Sequence, residues 1–277
     1  MLRSMFAAIS GLKAHQVMLD VTANDIANVN TVGYKSSRAT FKDSLSQIQR
    51  GASGPGVNQG GANASQVGLG VQLGSIDNLM SSGSLQNTGN VLDLAIQGEG
   101  WFRIAGATPP AVPTGGFEYT RAGNFTLNTN GHLVTRDGYY VMGKAAAGGA
   151  GADQFLQIPA GATNVTVGQD GSVNYVPSGG GAALTAGFLS LGKFANEGGL
   201  ERSSSNRWRS TVASGAEQVG TPSGNFGLTI SGTVEMSNVD LASQFTNMIT
   251  AQRGFQANSR IISASDEVLQ DLVNMKR

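Results

Sequence analysis

The residues of this chain that could do chemistry are few and lie far apart. The two histidines, His15 and His132, stand in unlike contexts, and neither has carboxylates or a second histidine at metal-ligand spacing. Asp137 and Asp170 each precede a glycine, which explains them better as turn formers than as the carboxylate pair of a glycosidase. The chain has no cysteine, so thiol catalysis and cysteine-ligated metals are excluded. The sequence therefore predicts no enzyme, no metal site and no cofactor.

Composition narrows the class of protein further. The 277 residues include 40 glycines, charged residues make up 13% and the formal net charge is zero. Nothing in this balance favours nucleic acid or an anionic membrane as a partner. No apolar run approaches the roughly 18 residues of a membrane-spanning helix. The apolar run after Arg3 is broken at Gly11, which argues against a cleaved signal peptide.

A long helix is predicted at the C-terminal end, over residues 234–277. Its apolar residues recur every seven positions, at Leu241, Met248, Phe255, Ile262 and Leu269. A second, mixed row includes Phe245 and Val273. This narrow stripe is typical of a coiled-coil seam. The segment Ser237-Asn238-Val239-Asp240 is predicted to cap the start of the helix.

A matching pattern occupies the N-terminal end. Apolar residues are again seven apart, at Met5, Leu12, Leu19 and Ile26. Paired heptad helices at the two ends favour an antiparallel coiled-coil stalk, and two helices of an ordinary bundle are the alternative. The predicted assembly interface consists of residues from both stripes: Met5, Leu12, Leu19, Ile26, Leu241, Phe245, Met248, Phe255, Ile262, Leu269 and Val273.

The middle of the chain has the pattern of hairpin-rich β structure. The dipeptides Asn130-Gly131, Asp137-Gly138 and Asp170-Gly171 separate short apolar runs and favour primed hairpin turns. Residues 38–50 are compatible with a helix or a strand, and the glycine-rich segment 51–70 is predicted to be a linker or extended loop. The predicted fold class is α+β, with terminal helices at 1–30 and 238–277, a connecting segment at 31–70 and a β-rich domain at 71–237.

Several stretches resemble the axial proteins of the bacterial flagellum, in which rod and hook subunits share both chain ends. The stretches are Asn24-Asp25-Ile26-Ala27-Asn28, Val32-Gly33-Tyr34-Lys35, Leu92-Asp93-Leu94-Ala95-Ile96, Gly98-Glu99-Gly100-Trp101-Phe102, Thr120-Arg121-Ala122-Gly123-Asn124-Phe125, and Glu235-Met236-Ser237-Asn238-Val239-Asp240-Leu241. They occur in the family's order over nearly the whole chain. Gly254-Phe255-Gln256-Ala257 is similar to the hook form, whereas the short chain and the lengthened stretch before Val67 are similar to the distal rod form.

The resemblance implies a hook subunit that self-assembles into a flexible tube between rod and filament, with the distal rod protein as the alternative. Stalks packed side by side would form the inner tube, and the β domains would form the outer layer. The implied partners are copies of the chain itself, the distal rod protein, the hook cap and hook–filament junction proteins, and the flagellar export apparatus. The implied location is extracellular, without membrane insertion and without a cleaved signal peptide. A secreted β-rich adhesin and a polysaccharide-active enzyme are the more distant alternatives.

Overall fold

A computed structural model describes residues 2–54, 60–106, 109, 112, 115–149 and 151–275. The chain divides into two compact units. The first comprises residues 1–27, 37–79 and 240–277, and the second comprises residues 28–36 and 80–239. Both chain ends thus belong to one unit. The predicted α+β class, with a β-rich body and a helix near each end, is confirmed.

The first unit contains two long helices and four strands. They are α1 (Leu2–Ala27), β1 (Ser37–Asp43), β2 (Ser46–Arg50), β3 (Ser65–Gly68), β4 (Val71–Asn78) and α2 (Leu241–Met275). Strand β1 pairs antiparallel with β4, and β2 pairs antiparallel with β3. The two ladders are joined by backbone bonds from Ser44 N–H to the carbonyl of Gly70 (2.9 Å) and from Leu69 N–H to the carbonyl of Leu45 (2.8 Å). We call this ribbon, residues 37–78, the hairpin arm.

The hairpin arm settles one open question and corrects one prediction. Residues 38–50, which the sequence left open between helix and strand, lie mostly in β1 and β2. The loop predicted for residues 51–70 is wrong at β3, because the ladder begun by β1 and β4 continues through polar, glycine-flanked residues. Residues 55–59 of that segment lie outside the described residues. Backbone pairing, which does not depend on side-chain pattern, defines this strand.

The second unit is built from short strands. They are β5 (Leu85–Asn87), β6 (Leu94–Gln97), β7 (Trp101–Ala105), β8 (Glu118–Thr120), β9 (Thr126–Leu127), β10 (Leu133–Val134), β11 (Tyr140–Lys144), β12 (Asp153–Phe155), β13 (Thr163–Val167), β14 (Ser172–Val176), β15 (Leu184–Leu189), β16 (Leu191–Lys193), β17 (Glu201–Arg202), β18 (Arg207–Arg209), β19 (Gln218–Gly220), β20 (Leu228–Ser231) and β21 (Thr233–Glu235). The main antiparallel sheet has the order β13-β14-β15-β11-β7-β8-β18-β17, while β6 pairs with β20 and β5 with β21.

Strand β7 lies at the centre of the second unit and is buried on both faces. Alternate residues of a strand point to opposite faces. Phe102 belongs to the larger apolar core and packs edge-to-face on Phe125 with 5.1 Å between ring centroids. Trp101 belongs to a separate aromatic core, where its ring lies 5.7 Å from that of Trp208. The strand therefore divides the core of this unit in two.

The three predicted hairpin turns exist, but they are of a different type. Gly131, Gly138 and Gly171 have φ angles of 78°, 85° and 75°, and each donates its N–H to the carbonyl three residues earlier. Among the described residues, the positions before these glycines do not have positive φ, which a type I′ turn requires at both central residues. The prediction of primed turns is therefore wrong. The connections are longer than two residues and are closed by a left-handed glycine.

The predicted start of the C-terminal helix is also wrong. Residues Val234 and Glu235 lie in β21, paired with Gln86 and Leu85 of β5, and α2 starts at Leu241. Instead of capping the helix, Asn238 accepts a hydrogen bond at Oδ1 from the backbone N–H of Ser36 (2.8 Å). The β-branched Val234 favours a strand, and the backbone pairing with β5 continues that strand through Glu235.

Candidate assembly interface

Helix α2 begins behind an aspartate cap. The Oδ1 atom of Asp240 accepts a hydrogen bond from the backbone N–H of Ala242 (3.1 Å), and Oδ2 accepts one from the hydroxyl of Ser243 (2.6 Å). The hydroxyl of Ser243, followed by the backbone bond, lowers the pKa of the Asp240 carboxyl. A negative charge here also suits the positive end of the helix. Of the residues predicted to cap α2, Asp240 is the one that does so.

The two long helices contact each other over residues 11–25 of α1 and 244–258 of α2. Three residue pairs define the contact: Asp25 with Gln244, His15 with Gly254, and Gly11 with Asn258. The first is a hydrogen bond of 3.1 Å from the Gln244 amide to the Asp25 carboxylate. Residue numbers fall along α2 as they rise along α1, so the helices run in opposite directions where they meet.

Small residues line this helix contact. Ala8, Ala14 and Ala251 are buried, and Ala251 is completely inaccessible. A Cβ atom added at Gly254 would lie 2.4 Å from the imidazole of His15, and one added at Gly11 would lie 2.7 Å from the amide of Asn258. The side chains of His15 and Asn258 can occupy these positions because the residues they face are glycines. The contact therefore depends on alanine and glycine as well as on the large apolar residues of the predicted seams.

The structure divides the predicted interface residues into two groups. Eight are half-buried: Met5, Leu12, Leu19, Ile26, Met248, Phe255, Ile262 and Leu269. Three are exposed: Leu241, Phe245 and Val273. Phe245 is 50% exposed and Val273 is 68% exposed. In a single chain, the half-buried group supports the first unit internally, while the exposed group is free to meet another surface.

Further exposed apolar residues escaped the sequence reasoning. They are Phe6, Ile249, Ile261, Val268 and Met275. Three of them, Ile261, Val268 and Met275, are also seven apart, and Ile261 and Val268 each lie one residue before a predicted seam position. A search for a wider apolar stripe, in place of a strict heptad seam, would have found this row.

The hairpin arm adds a second exposed apolar surface. Its exposed large side chains are Phe41, Leu45, Ile48, Val67, Leu69, Leu73 and Ile76. A two-stranded ribbon is stable only when one of its faces is covered. Monomeric proteins rarely leave such a row of apolar groups in water. We therefore include the arm with α1 and α2 in the candidate interface.

The second unit contains a buried ionic cluster that joins distant parts of the chain. The ammonium of Lys35 lies 2.7 Å from Oε1 of Glu235, and Arg121 lies 3.2 Å from Oε2 of the same carboxylate. All three side chains are at most 3% exposed. Burial lowers the pKa of Lys35, and the Glu235 charge partly opposes this. We call Gly33, Lys35, Arg121 and Glu235 the motif junction.

Gly33 occupies a position in the motif junction that no other residue fits. Its φ is 69°, its N–H donates to the backbone carbonyl of Glu235 (2.8 Å), and a Cβ added there would lie 2.4 Å from the backbone nitrogen of Ala122. Left-handed backbone and close approach both favour glycine. The junction thus fastens the segment after α1 to the β body of the second unit.

Within the described part of the chain, no cluster of three or more metal-ligating side chains is present. The described helices also include none that is long and apolar enough to cross a membrane.

Comparison with known proteins assigns the chain to a family. Residues 5–35 match the flagella basal body rod protein family, residues 95–175 the flagellar hook protein FlgE/F/G D1 domain, and residues 230–275 the flagellar basal body rod FlgEFG protein C-terminal family. The flagellar basal-body rod protein FlgG of Bacillus subtilis is 48% identical over the whole of both chains. The FlgG protein of Caulobacter vibrioides is 38% identical over 97% of each chain.

This chain belongs to the flagellar hook and basal-body rod protein family. These matches confirm the family resemblance that the sequence predicted. Members of the family are structural components of the flagellum. The motif junction is built from residues of all three matched segments. Gly33 and Lys35 come from the first matched segment, Arg121 from the second and Glu235 from the third. Each of the three matched segments of the flagellar chain thus contributes to one buried cluster.

The comparisons favour the distal rod protein over the hook protein as the relative of this chain. The flagellar hook protein FlgE of Helicobacter mustelae is 49% identical, but only over 52% of this chain and 31% of that protein. The FlgG proteins match along the full length. The hook interpretation rested on Gly254-Phe255-Gln256-Ala257, a short stretch of a helix that hook and rod proteins share. The distal-rod alternative therefore fits better.

Proposed function

We propose that this flagellar chain is a distal rod subunit of the basal body, polymerising through the surface formed by α1, α2 and the hairpin arm. The observation that carries the proposal is the full-length similarity to FlgG proteins, with 48% identity to the one from Bacillus subtilis. The exposed apolar residues of the first unit support the polymerisation surface, because burial of such groups drives association.

The arrangement of the polymer follows from the two units. In our proposal α1 and α2 form an antiparallel coiled-coil stalk, and stalks from neighbouring copies pack side by side as the inner tube. The strands of the second unit form the outer layer. The opposite directions of α1 and α2 at their contacts support this stalk. Its partners are then further copies of the chain and other flagellar components, outside the cytoplasmic membrane after export.

A deletion strain tests the proposed place in the flagellum. A rod subunit is needed before any hook can be built, so basal bodies from the deletion strain should lack both the complete rod and the hook. Loss of a hook subunit would instead leave complete rods. Electron microscopy of purified basal bodies distinguishes these outcomes, and complete rods without hooks would overturn the proposal.

Two charged substitutions test the polymerisation surface. Phe245 and Ile249 are each 50% exposed and one helical turn apart on α2. Phe245→Asp and Ile249→Asp should abolish rod assembly when they replace the wild-type protein, because a carboxylate would be buried between copies. The fold should survive, since both positions are accessible in the single chain.

The matched control is Asn247→Asp, which adds the same charge to the same turn at an exposed polar position. This variant should assemble normally. Circular dichroism and thermal unfolding of all three purified proteins would check that the fold is kept. Normal rods from the Phe245 and Ile249 variants would show that this face of α2 does not mediate assembly.

A further inference from the structure

We infer that the second unit carries a binding cleft for a neutral oligosaccharide, separate from the assembly surface. The cleft has a volume of about 760 Å³. Six of its lining residues carry the argument: Asn130, His132, Tyr140, Gln154, Phe155 and Gln157. They come from the loop before β10, from β11, and from β12 with the residues that follow it. The inference goes beyond the proposed function and does not depend on it.

Three aromatic rings form one wall of the cleft. The centroids of His132 and Tyr140 are 5.6 Å apart, those of Tyr140 and Phe155 are 5.4 Å apart, and those of His132 and Phe155 are 6.2 Å apart. All three contacts are edge-to-face, which fixes the rings relative to each other. All three side chains are half-buried, so they remain partly accessible to a ligand. A rigid aromatic wall suits the flat C–H face of a sugar ring.

Amide side chains border the aromatic wall and are already held in place. Gln157 donates from Nε2 to the backbone carbonyl of Asn130 (3.0 Å), and Gln154 donates from Nε2 to the carbonyl of Ala186 (3.1 Å). These bonds orient both amides and leave their carbonyl oxygens to accept bonds from hydroxyl groups. Side chains ordered before binding reduce the entropy cost of holding a ligand.

The charge of the lining decides the class of ligand. None of the described lining residues carries a formal carboxylate, ammonium or guanidinium group. Among the described contacts, the buried Nδ1 of His132 has no hydrogen-bond partner. An ionic ligand would therefore find no counter-charge here. A neutral polyhydroxylated ring, which needs apolar contact and several hydrogen bonds, matches the groups present.

Two soluble probes test the inference on the full-length protein. Saturation-transfer difference NMR and calorimetry would be recorded with chitotetraose and with maltotetraose. Binding of either probe, with perturbed side-chain resonances at Gln154 and Gln157, is the expected result. Absence of binding for both at 10 mM, about 10,000 times a micromolar Kd, would overturn the inference. Binding of a proline-rich peptide with neither sugar would also overturn it.

Variants locate the binding. Tyr140→Leu should weaken binding about tenfold, because it removes a stacking face from the aromatic wall. Tyr140 is half-buried, so Gln157→Ala, at an exposed position, provides a second test that the fold will tolerate. The control is Gln218→Ala, an exposed glutamine of β19 outside the cleft, which should bind as the wild type does. Equal binding by the wild type and both cleft variants would place the sugar elsewhere and contradict the inference.

Discussion

The imidazole of His15 lies against the backbone of Gly254, and a methyl carbon added at Gly254 would stand 2.4 Å from Nε2. We predict that Gly254→Ala lowers the free energy of unfolding by about 1–2 kcal/mol, the typical cost of overpacking. Alanine is the better helix former by about 1 kcal/mol, so a net loss would identify the steric conflict as the larger effect. Urea unfolding followed by circular dichroism measures the change.

Gly11→Ala is the matched control for this helix contact. A methyl group at Gly11 would meet the end of the flexible Asn258 side chain, which can move aside. Its cost should be smaller than that of Gly254→Ala. Removing the ring as well, in the double variant His15→Ala and Gly254→Ala, should restore part of the lost stability. A stability gain from Gly254→Ala alone would show that the imidazole of His15 does not pack against Gly254.

The buried carboxylate of Glu235 supports a second prediction. Glu235→Gln removes the negative charge that faces both Lys35 and Arg121. Two buried cations would then lose the carboxylate that contacts them both, and we expect a loss of about 3–5 kcal/mol, typical of a broken buried pair. Chemical denaturation of the purified variant measures this loss.

An exposed ion pair serves as the control for Glu235. Arg38 and Asp77 lie 3.9 Å apart in the hairpin arm, and both side chains are well exposed. Asp77→Asn should change stability by about 0.5 kcal/mol or less, because exposed pairs contribute little. Similar losses for the two variants would mean that the Glu235 cluster is hydrated and not sealed in the core.

Local patterns in the sequence predicted much of the fold. The heptad rows predicted a helix near each end, and the turn dipeptides marked three real hairpins. Which residues of each helix are buried depends on the surface that the helix packs against. A row of apolar residues in one helix does not encode that surface. Gly11, Gly254 and Ala251 therefore carried no signal for the close helix contact. The segment that became β3 carried none either, since it pairs through its backbone.

The motif junction could not have been predicted from spacing. Lys35 and Glu235 are 200 residues apart in the sequence. Considered alone, each would be predicted to be a charged residue on the surface. Their meeting depends on β21 pairing with β5 and on the chain leaving α1 through the left-handed Gly33. The resemblance marked the right stretches of sequence, but the physical reason for them emerged only from the fold.

Two glycines in equivalent hairpin positions support a third prediction. Gly131 and Gly138 both have left-handed backbone, with φ of 78° and 85°. A Cβ at Gly131 would lie 1.9 Å from the carbonyl oxygen of Ile158, whereas one at Gly138 would meet nothing within 4 Å. Both alanine variants should lose about 1–2 kcal/mol to backbone strain. Only Gly131→Ala should lose more.

Differential scanning calorimetry of the two glycine variants would show this difference as a lower midpoint for Gly131→Ala. Equal midpoints would indicate that the loop before β10 moves away from Ile158 without cost.

The turn between β13 and β14 supports a prediction about pH. Oδ1 of Asp170 accepts hydrogen bonds from the hydroxyl (2.6 Å) and the backbone N–H (3.1 Å) of Ser172. The hydroxyl is the main reason that the pKa of the Asp170 carboxyl is lowered in the folded chain. A carboxyl whose pKa is lower in the folded state stabilises the fold above its unfolded pKa, near 3.9, and loses that effect as pH falls further.

Asp170→Asn should therefore be less stable than the wild type at pH 6, and the gap should narrow as the pH is taken from about 4 to about 2. Urea unfolding at several pH values measures the gap. Ser172→Ala supplies the independent check, because loss of the hydroxyl should raise the pKa of Asp170 in an NMR titration of its carboxyl carbon. If the gap stays constant with pH while that titration is unchanged by Ser172→Ala, the hydrogen bond does not stabilise the ionised carboxylate and the turn is held by Gly171 alone.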